Sequence, residues 1–464
     1  MSRVRTYLMP IEASTRELDY KLVLAALLAS PERRFLLFRQ DLGPKLVGPI
    51  RGGVWVGQHI KTRTEGKDDY TRLHRMKDAG FAVGFLDEEG AVFHGDEREW
   101  AEQLNVRVDP TVLTGDDVIC TWGTFQAAAY RGQRPRAEVI PTGHPRFDLC
   151  RAPYSSIYEE SAGRLRDEFG RYVLVNTNFG LANYITGIAG LFNRRDGYRP
   201  ENESSRMAFV TNWRRALETF GLIVEGVHRL AARYPKVMFV VRPHPIEDHD
   251  AYRRLLAGIS NVRVIHRGGV IPWLRSAAVV VHNGCTTAVE AHLAGASVIN
   301  YVPEAVGDRE AWVATMFGRR AASYDVLEEI VGVSTERAIE DDPTDPERLR
   351  RAASIIIQLG EQGQDPRRAF SGVVDALERI EKSAGTPRFD DLTVRALAGA
   401  HAAGVKTKTL LGEAGSRVGR VQRAPRKFMP FEADDISERV ALASRVSGRP
   451  LRAHLLSGTV LQVS

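Results

Sequence analysis

The sequence predicts an α/β protein with two doubly wound, Rossmann-like domains and a C-terminal helical extension. Short apolar runs alternate with longer amphipathic runs, and this alternation begins twice, near residues 5 and 171. Glycine and proline separate most of the runs, as they do at the ends of strands and helices. Repeated strand–helix alternation favours a parallel sheet with helices on both faces. A length of 464 residues, 43% of them hydrophobic, suits two domains with substantial cores.

Residues 1–165 are predicted to form the N-terminal domain. Its predicted strands are RTYLMPI (5–11), RFLLFR (34–39), GVWVGQHI (53–60), FAVGFLDEEG (81–90), DDVICTWG (116–123) and AEVIPTGHPRFD (137–148). The runs ELDYKLVLAALLAS (17–30) and DYTRLHRMKDAG (69–80) have helical spacing. Gly80 is a typical residue just beyond a helix C-terminus.

Residues 166–380 are predicted to form the second domain, where the doubly wound pattern is clearest. Its predicted strands are RYVLVNTNF (171–179), KVMFVV (236–241), VRVIH (262–266), AVVVHNG (278–284) and SVINYV (297–302). A long amphipathic stretch, 211–235, and the shorter runs 251–259 and 286–295 are predicted helices. Residues 381–464 are predicted to be a linker followed by a basic extension.

Composition narrows the function classes. A formal charge of +6 and a pI of about 9.2 favour anionic ligands or acidic membrane surfaces. Cys120, Cys150 and Cys285 are too scattered for a disulfide framework or a zinc site, and no apolar run is long enough to span a membrane. We expect a cytoplasmic protein whose basic stretch 405–428 contacts the inner face of the plasma membrane. That stretch lacks interleaved aromatic residues, so nucleic acid is not an expected partner.

The stretch FVVRPHPIEDHD (239–250) runs from an apolar strand into Arg242, His244 and Pro245. Proline fixes its own φ and disfavours helical geometry in the residue before it. Arg242 and His244 should therefore be held extended just beyond the strand. The alternative is that the two prolines only terminate the strand.

A second polar loop, VHNGCTTAVEAHLAG (281–295), leads from a strand into a helix. It is predicted to lie beside the RPHP loop, at the carboxyl ends of neighbouring strands. Its predicted phosphate- and nucleotide-binding residues are His282, Asn283, Gly284, Thr286, Thr287 and Glu290. A glycine turn into a helix N-terminus offers N–H donors to an anion, and open α/β sheets bind ligands at the carboxyl ends of their strands. The alternatives are a capping box formed by Thr287 and Glu290, and a core role for His282.

RPHP followed by HNGCTTAVEA resembles the nucleotide-binding half of GT-B glycosyltransferases, especially bacterial capsule and lipopolysaccharide enzymes that use CMP-activated ulosonic acids such as Kdo or sialic acid. In those families a His-Pro motif and a Ser/Thr pair bind the donor phosphate, which implies His244-Pro245 and Thr286-Thr287 here. With MPIEASTRELDYKL, FLDEEG, GHPRFD and VLVNTNF included, residues 5–320 also resemble a group of surface carbohydrate biosynthesis proteins. Similar patterns occur in UDP-N-acetylglucosamine 2-epimerases and polyol-phosphate transferases. The resemblance implies two Rossmann-like domains facing a cleft.

In that architecture the N-terminal domain holds the acceptor and supplies a catalytic acid or base. Glu12, just after the first strand, is the leading candidate base, with Asp87 and Glu88 as rivals. The alternatives are dipole-favoured acids at a helix N-terminus for Glu12 and a solvated acidic turn for Asp87 and Glu88. The candidate acceptor or donor contacts are Arg16, His59, His144, Asn176 and Asn178. The alternative for His144 is a structural role near the crossing between the two domains.

These observations lead to a glycosyltransferase hypothesis. The expected partners are a nucleotide-sugar donor, with CMP-Kdo-like donors favoured over UDP-sugars, and a glycan or lipid-linked acceptor of a surface polysaccharide or lipopolysaccharide. No Asp-x-Asp motif stands in a suitable place, so the reaction is expected to need neither metal nor cofactor. The alternatives are a UDP-sugar 2-epimerase or hydrolase of the same fold, and a non-catalytic nucleotide-sugar-binding partner in polysaccharide assembly.

Overall fold

A computed structural model describes residues 4–58, 63–64, 67–68, 70–89, 97–192, 198–303, 313–336, 346–360, 368–417 and 427–464. The chain divides into two compact units. Unit 1 comprises Met1–Ile157, Pro346–Lys408 and Phe428–Ser464, and unit 2 comprises Tyr158–Asp345 and Thr409–Lys427. Each contains a largely or wholly parallel sheet, so the predicted class of two Rossmann-like α/β domains is confirmed.

Unit 1 is built on an eight-stranded sheet. Its strands are β1 (Arg5–Ile11), β2 (Arg33–Arg39), β4 (Val54–Val56), β7 (Ala82–Leu86), β8 (Val118–Cys120), β9 (Glu138–Ile140), β17 (Ala453–Ser457) and β18 (Val460–Val463). They lie in the order β17-β18-β2-β1-β4-β7-β8-β9, and the six strands from β2 to β9 are parallel. Two small antiparallel pairs accompany it, β3 (Ile50–Arg51) with β16 (Arg388–Phe389) and β5 (Arg63–Thr64) with β6 (Lys67–Asp68).

The helices of unit 1 come from both ends of the chain. They are α1 (Ser14–Leu28), α2 (Gly43–Leu46), α3 (Thr71–Asp78), α4 (Glu97–Arg107), α5 (Thr124–Gly132), α6 (Pro145–Asp148), α14 (Pro346–Ile355), α15 (Arg368–Glu381), α17 (Ala433–Ser447) and most of α16 (Asp391–Arg417). The sequence-based division placed residues 346–380 in the second domain. The structure groups them with unit 1, because α15 buries Phe370, Val373 and Leu377 and its Phe370 amide donates to the Asp148 carboxylate (3.0 Å).

The basic extension also differs from its predicted form. Strand β18 pairs antiparallel with β2, and β17 continues the sheet beyond it. Val460, Leu461 and Val463 are fully buried. Since Phe35–Phe38 of β2 are equally buried, this hairpin covers an apolar strand that would otherwise form the edge of the sheet.

Unit 2 is built on a six-stranded, wholly parallel sheet. Its strands are β10 (Tyr172–Asn176), β11 (Met238–Arg242), β12 (Val262–Val264), β13 (Val279–His282), β14 (Val298–Tyr301) and β15 (Arg319–Ala321). Its helices are α7 (Glu159–Phe169), α8 (Ile188–Leu191), α9 (Glu203–Arg233), α10 (His249–Leu255), α11 (Ile271–Ser276), α12 (Thr287–Leu293) and α13 (Tyr324–Glu336). The strand order β12-β11-β10-β13-β14-β15 is that of a Rossmann fold.

The strand order of unit 2 reverses direction between β10 and β13. In doubly wound sheets, ligands bind outside the carboxyl ends of the strands at such a switch point. One face of the sheet is a continuous apolar core that includes Val173, Val175, Val241, Val281 and Ile299. A ligand site is therefore expected among the polar residues at the carboxyl ends of these strands.

Candidate functional site

Three polar loops meet at the carboxyl edge of unit 2. The sequence placed the RPHP and HNGCTT loops on neighbouring strands, but β10 lies between β11 and β13 and separates them. Adjacent strands are about 4.8 Å apart, so the two loops begin roughly 10 Å from each other. Asn176 at the end of β10 and the loop after it, which carries Asn178, are therefore central to the edge.

A row of buried polar side chains crosses the sheet at this edge. Asn176 pairs in register with both Arg242 and His282, and His282 pairs with Asn300. Residues in register on parallel strands point to the same face, so these four side chains lie side by side. All four are at most 6% exposed. Asn300 was not predicted, although one asparagine in the apolar run SVINYV was a signal for it.

Three atoms of this row lack a protein partner. Asn176 Oδ1, His282 Nε2 and Asn300 Oδ1 are buried without a hydrogen bond. Burial lowers the pKa of His282 to about 3, and its Nδ1 accepts from the Gly284 amide (3.1 Å), so the neutral ring carries its proton on Nε2. Each unpaired buried polar atom costs about 1–3 kcal/mol. A row of such atoms at the carboxyl edge of a parallel sheet is typical of a functional site.

Arg242 braces a neighbouring loop. Its guanidinium donates to the carbonyls of Arg267 (3.1 Å) and Gly268 (2.7 Å), and it lies near the Trp273 ring. Burial lowers its pKa to about 10, so the group stays charged at neutral pH. The anion-binding role predicted for Arg242 would therefore rest on its charge and on the N–H groups that these two carbonyls leave over.

The RPHP loop holds His244 in a fixed orientation. Its Nδ1 accepts from the Ile246 amide (3.3 Å), and its own amide donates to Glu247 (2.8 Å). Its carbonyl contacts His249 Nε2 (3.1 Å). These bonds place the imidazole proton of the neutral ring on Nε2. The half-buried Pro245 follows directly.

The start of α12 differs from the capping-box alternative. Its N-cap is Thr286, whose hydroxyl makes no capping hydrogen bond, and Thr287 is already the first helical residue. Thr287 Oγ1 instead accepts from Asn176 Nδ2 (3.1 Å), which ties the carboxyl end of β10 to α12. Glu290 is 8% exposed, and its negative charge partly opposes the lowering of the Arg242 pKa by burial.

The remaining residues of this edge complete the polar loops. Gly284 has φ +78°, a left-handed conformation that favours glycine. Asn283 Oδ1 is buried without a partner, and Asn178 is exposed. The second-half residues predicted from the sequence therefore gather at one edge of unit 2.

A second polar site lies at the carboxyl edge of unit 1. It brings together the predicted residues Glu12, Arg16, Asp87, Glu88 and His144. Asp87 and Glu88 are only 2% and 1% exposed, so the alternative of a solvated acidic turn is wrong. His59 lies outside the described residues.

Glu88 is the centre of this network. Its Oε1 lies 3.5 Å from Lys21 Nζ and accepts from the Tyr20 hydroxyl. Its Oε2 lies 3.4 Å from His144 Nε2, outside hydrogen-bond geometry. Burial alone would raise the pKa of Glu88, but Lys21, His144 and Arg16 hold it well below its usual range.

Lys21 and Glu17, missed from the sequence, complete the network. Lys21 Nζ lies 2.7 Å from Glu17 Oε2 and donates to the Pro10 carbonyl (2.5 Å), and both side chains are almost fully buried. They sit one turn apart on α1, a spacing that also fits an ordinary surface pair.

Burial lowers the pKa of His144 to about 4, so its ring is neutral beside the ionised Glu88.

Glu12 is the most accessible of the three predicted bases. It is half-buried, precedes α1 and accepts from Gln58 Nε2 (3.4 Å). The acid in the first turn of α1 is Glu17, which accepts from the Ala13 amide (2.9 Å). Glu17, and not Glu12, is therefore the acid that the dipole at the N-terminus of α1 stabilises. Asp87 accepts from Gln126 Nε2 (3.5 Å) and the Glu89 amide (3.0 Å).

Within the described ranges, no group of three or more His, Cys, Asp or Glu side chains is arranged to hold a metal ion. The helices in the same ranges include none with the length and apolar content needed to cross a bilayer.

No protein-family model and no curated protein matches the chain. Among solved structures, it is similar to UDP-GlcNAc 2-epimerase from Neisseria meningitidis bound to UDP-GlcNAc (13% identity, 81% of this chain, 99% of that chain, TM-score 0.45). It is also similar to the wall teichoic acid polymerase TagF (7% identity, 82% and 90%, TM-score 0.46). A third is Anabaena Alr3699/HepE in complex with UDP and glucose (9% identity, 82% and 97%, TM-score 0.34). Similarity at this level transfers no ligand, activity or residue role to this chain.

Proposed function

We propose that this chain is a glycosyltransferase that moves a sugar from a nucleotide-activated donor to a surface polysaccharide or lipopolysaccharide acceptor. The observation that carries the proposal is the meeting of three polar loops at the switch point of unit 2. The resemblance of RPHP and HNGCTTAVEA to the corresponding GT-B motifs supports a CMP-ulosonic acid such as CMP-Kdo over a UDP-sugar as donor.

Glycosyl transfer requires that the charge developing on the leaving phosphate be stabilised. In our proposal His244 Nε2–H and the Thr286 hydroxyl donate to that phosphate, and the buried charge of Arg242 adds to the potential. The fixed ring orientation of His244 supports this role, because a donor held in place needs little reorganisation during the reaction.

The acceptor hydroxyl must also lose a proton. We assign this step to Glu12, since Asp87 and Glu88 are almost fully buried and Glu88 is engaged by Lys21 and Tyr20. The basic helix α16, on which Lys406 and Lys408 are exposed, is proposed to approach acidic lipid near a lipid-linked acceptor.

The first experiment is a thermal-shift screen of the full chain with CMP, CDP, UDP and GDP. A nucleotide present at about 100 times its Kd should stabilise the native state by about 2.7 kcal/mol. His244→Ala should abolish the shift, whereas His228→Ala, an exposed histidine of the same unit, should keep it. Failure of every nucleotide to stabilise the chain would refute the proposal.

The second experiment measures turnover. Glu12→Gln should leave nucleotide affinity unchanged and reduce the rate of transfer by about 10²–10⁴-fold, the usual contribution of a general base to the rate. Full activity in this variant would exclude Glu12 as the base. Binding without any turnover of CMP-Kdo or UDP-sugars would instead favour a non-catalytic nucleotide-sugar-binding protein.

A second candidate function is a UDP-sugar 2-epimerase or hydrolase. The clustering of several carboxylates at one edge of unit 1 favours it, because such reactions need an acid and a base but no acceptor. Incubation with UDP-GlcNAc alone distinguishes the two functions. Release or interconversion of the sugar without acceptor would support the epimerase or hydrolase.

A further inference from the structure

Glu247 is a fully buried carboxylate that is not among the site residues predicted from the sequence. It lies in the loop between β11 and α10, three residues after His244. Nothing in the acidic run IEDHD distinguishes it from its exposed or capping neighbours.

Its two oxygens join three separate parts of unit 2. Oε1 accepts from the His244 amide (2.8 Å) and from Thr177 Oγ1 (2.9 Å). Oε2 accepts from the Tyr252 hydroxyl (2.5 Å) on α10, and the Phe179 amide also donates to the carboxylate. The RPHP loop, the loop after β10 and α10 are therefore held by one side chain.

All four partners are donors, and only an ionised carboxylate can accept from all of them. Burial raises the pKa of Glu247, while the donated hydrogen bonds oppose that rise. Glutamine would turn its NH₂ group either towards the His244 amide, which can only donate, or towards the Tyr252 hydroxyl, whose own proton would then lose its acceptor. The hydrogen bonds to its two oxygens thus favour an ionised carboxylate at this position.

We propose that Glu247 is a positioning residue that fixes His244 and the loop after β10 in the geometry required to bind the nucleotide phosphate. This inference rests on the proposed function of the edge. His244 depends on Glu247 through its backbone amide, and the same carboxylate fixes Thr177, the residue after Asn176 along the chain. One side chain therefore aligns residues on two of the three loops.

The test uses the full chain with Glu247→Gln and, as a matched control, Asp248→Asn. The control makes the same carboxylate-to-amide change one residue later, at the N-cap of α10, where asparagine can still accept from the Asp250 amide. Hydrogen exchange without nucleotide should accelerate at least about tenfold at the His244 and Phe179 amides in Glu247→Gln and stay unchanged in the control. The Kd for CMP and UDP, measured by calorimetry, should rise about tenfold in Glu247→Gln alone.

Tyr252→Phe and Thr177→Val each remove one donor and keep the carboxylate. They should weaken nucleotide binding about two- to threefold, and they remain informative should Glu247→Gln fail to fold. Wild-type exchange in both loops, or faster exchange with unchanged nucleotide affinity, would overturn the inference. Should the wild type bind neither CMP nor UDP, the proposed function fails, and the exchange rates alone decide whether Glu247 fixes the two loops.

Discussion

Replacing Lys21 by methionine should destabilise unit 1 strongly. The ammonium group lies 2.7 Å from Glu17 and 3.5 Å from Glu88, and the three side chains are at most 1% exposed. Methionine preserves the buried chain volume but leaves two carboxylates without their common cation. Breaking a buried ion pair from one side costs about 3–5 kcal/mol. Arg16 still contacts Glu17 (3.3 Å), so we expect the lower part of that range.

The loss can be measured by urea unfolding followed by tryptophan fluorescence, since Trp122 lies beside His144 in the same network (ring centroids 5.7 Å apart). With an m-value of about 3 kcal/mol per M, a loss of about 3 kcal/mol lowers the unit 1 midpoint by roughly 1 M. Adding Glu17→Gln should recover part of the lost free energy of unfolding, because it removes one of the two buried carboxylates that lost their cation.

The matched control is Arg98→Met, which breaks an exposed pair with Glu102 at the same four-residue spacing. Exposed pairs of this kind contribute about 0.3–0.5 kcal/mol, so its midpoint should hardly move. An equally small shift for Lys21→Met, or no recovery in the double variant, would refute the reasoning that the network is a desolvated charge cluster.

Three further predictions concern unit 1. Burial raises the pKa of Asp148 to about 7, so the folded state keeps a proton that the unfolded chain loses above about pH 3.8. That stabilisation is complete below pH 3.8 and disappears as the pH rises through 7. Chemical unfolding at pH 4 and pH 8 should show that the free energy of unfolding falls by up to about 4 kcal/mol between the two. The variant Asp148→Asn should not show this fall. Gly123→Ala would place a Cβ 2.3 Å from the Ser354 carbonyl, and calorimetry should show unit 1 destabilised by about 1–3 kcal/mol. Removing residues 451–464 should expose β2 as an edge strand, and light scattering should detect aggregation that the full chain does not show.

The sequence predicted most strands of both sheets, because each of these is a short apolar run bounded by polar or turn residues. RYVLVNTNF and AVVVHNG contain β10 and β13, and the polar residues that follow them mark the carboxyl edge. By contrast, β18 contains only four residues and owes its existence to pairing with β2, a contact that no local pattern encodes.

The same distinction applies to the site residues. Arg242 and His244 stand out beside two prolines, but Glu247 resembles the acids around it until its hydrogen-bond partners are known. Likewise, Lys21 on α1 has the spacing of a common surface pair, and only burial distinguishes it. The role of such residues depends on partners that are distant in the sequence, so it cannot be predicted from the sequence alone.

The pairing of β18 with β2 has a consequence for biosynthesis. Unit 2 is almost continuous in the chain, whereas unit 1 is assembled from three separate stretches. At about 5–20 residues per second, a ribosome needs on the order of 20–80 s after making β2 to produce its antiparallel neighbour. During translation the second unit can therefore mature while the first still presents an uncovered apolar strand, a vulnerable interval in which a chaperone would have most to protect.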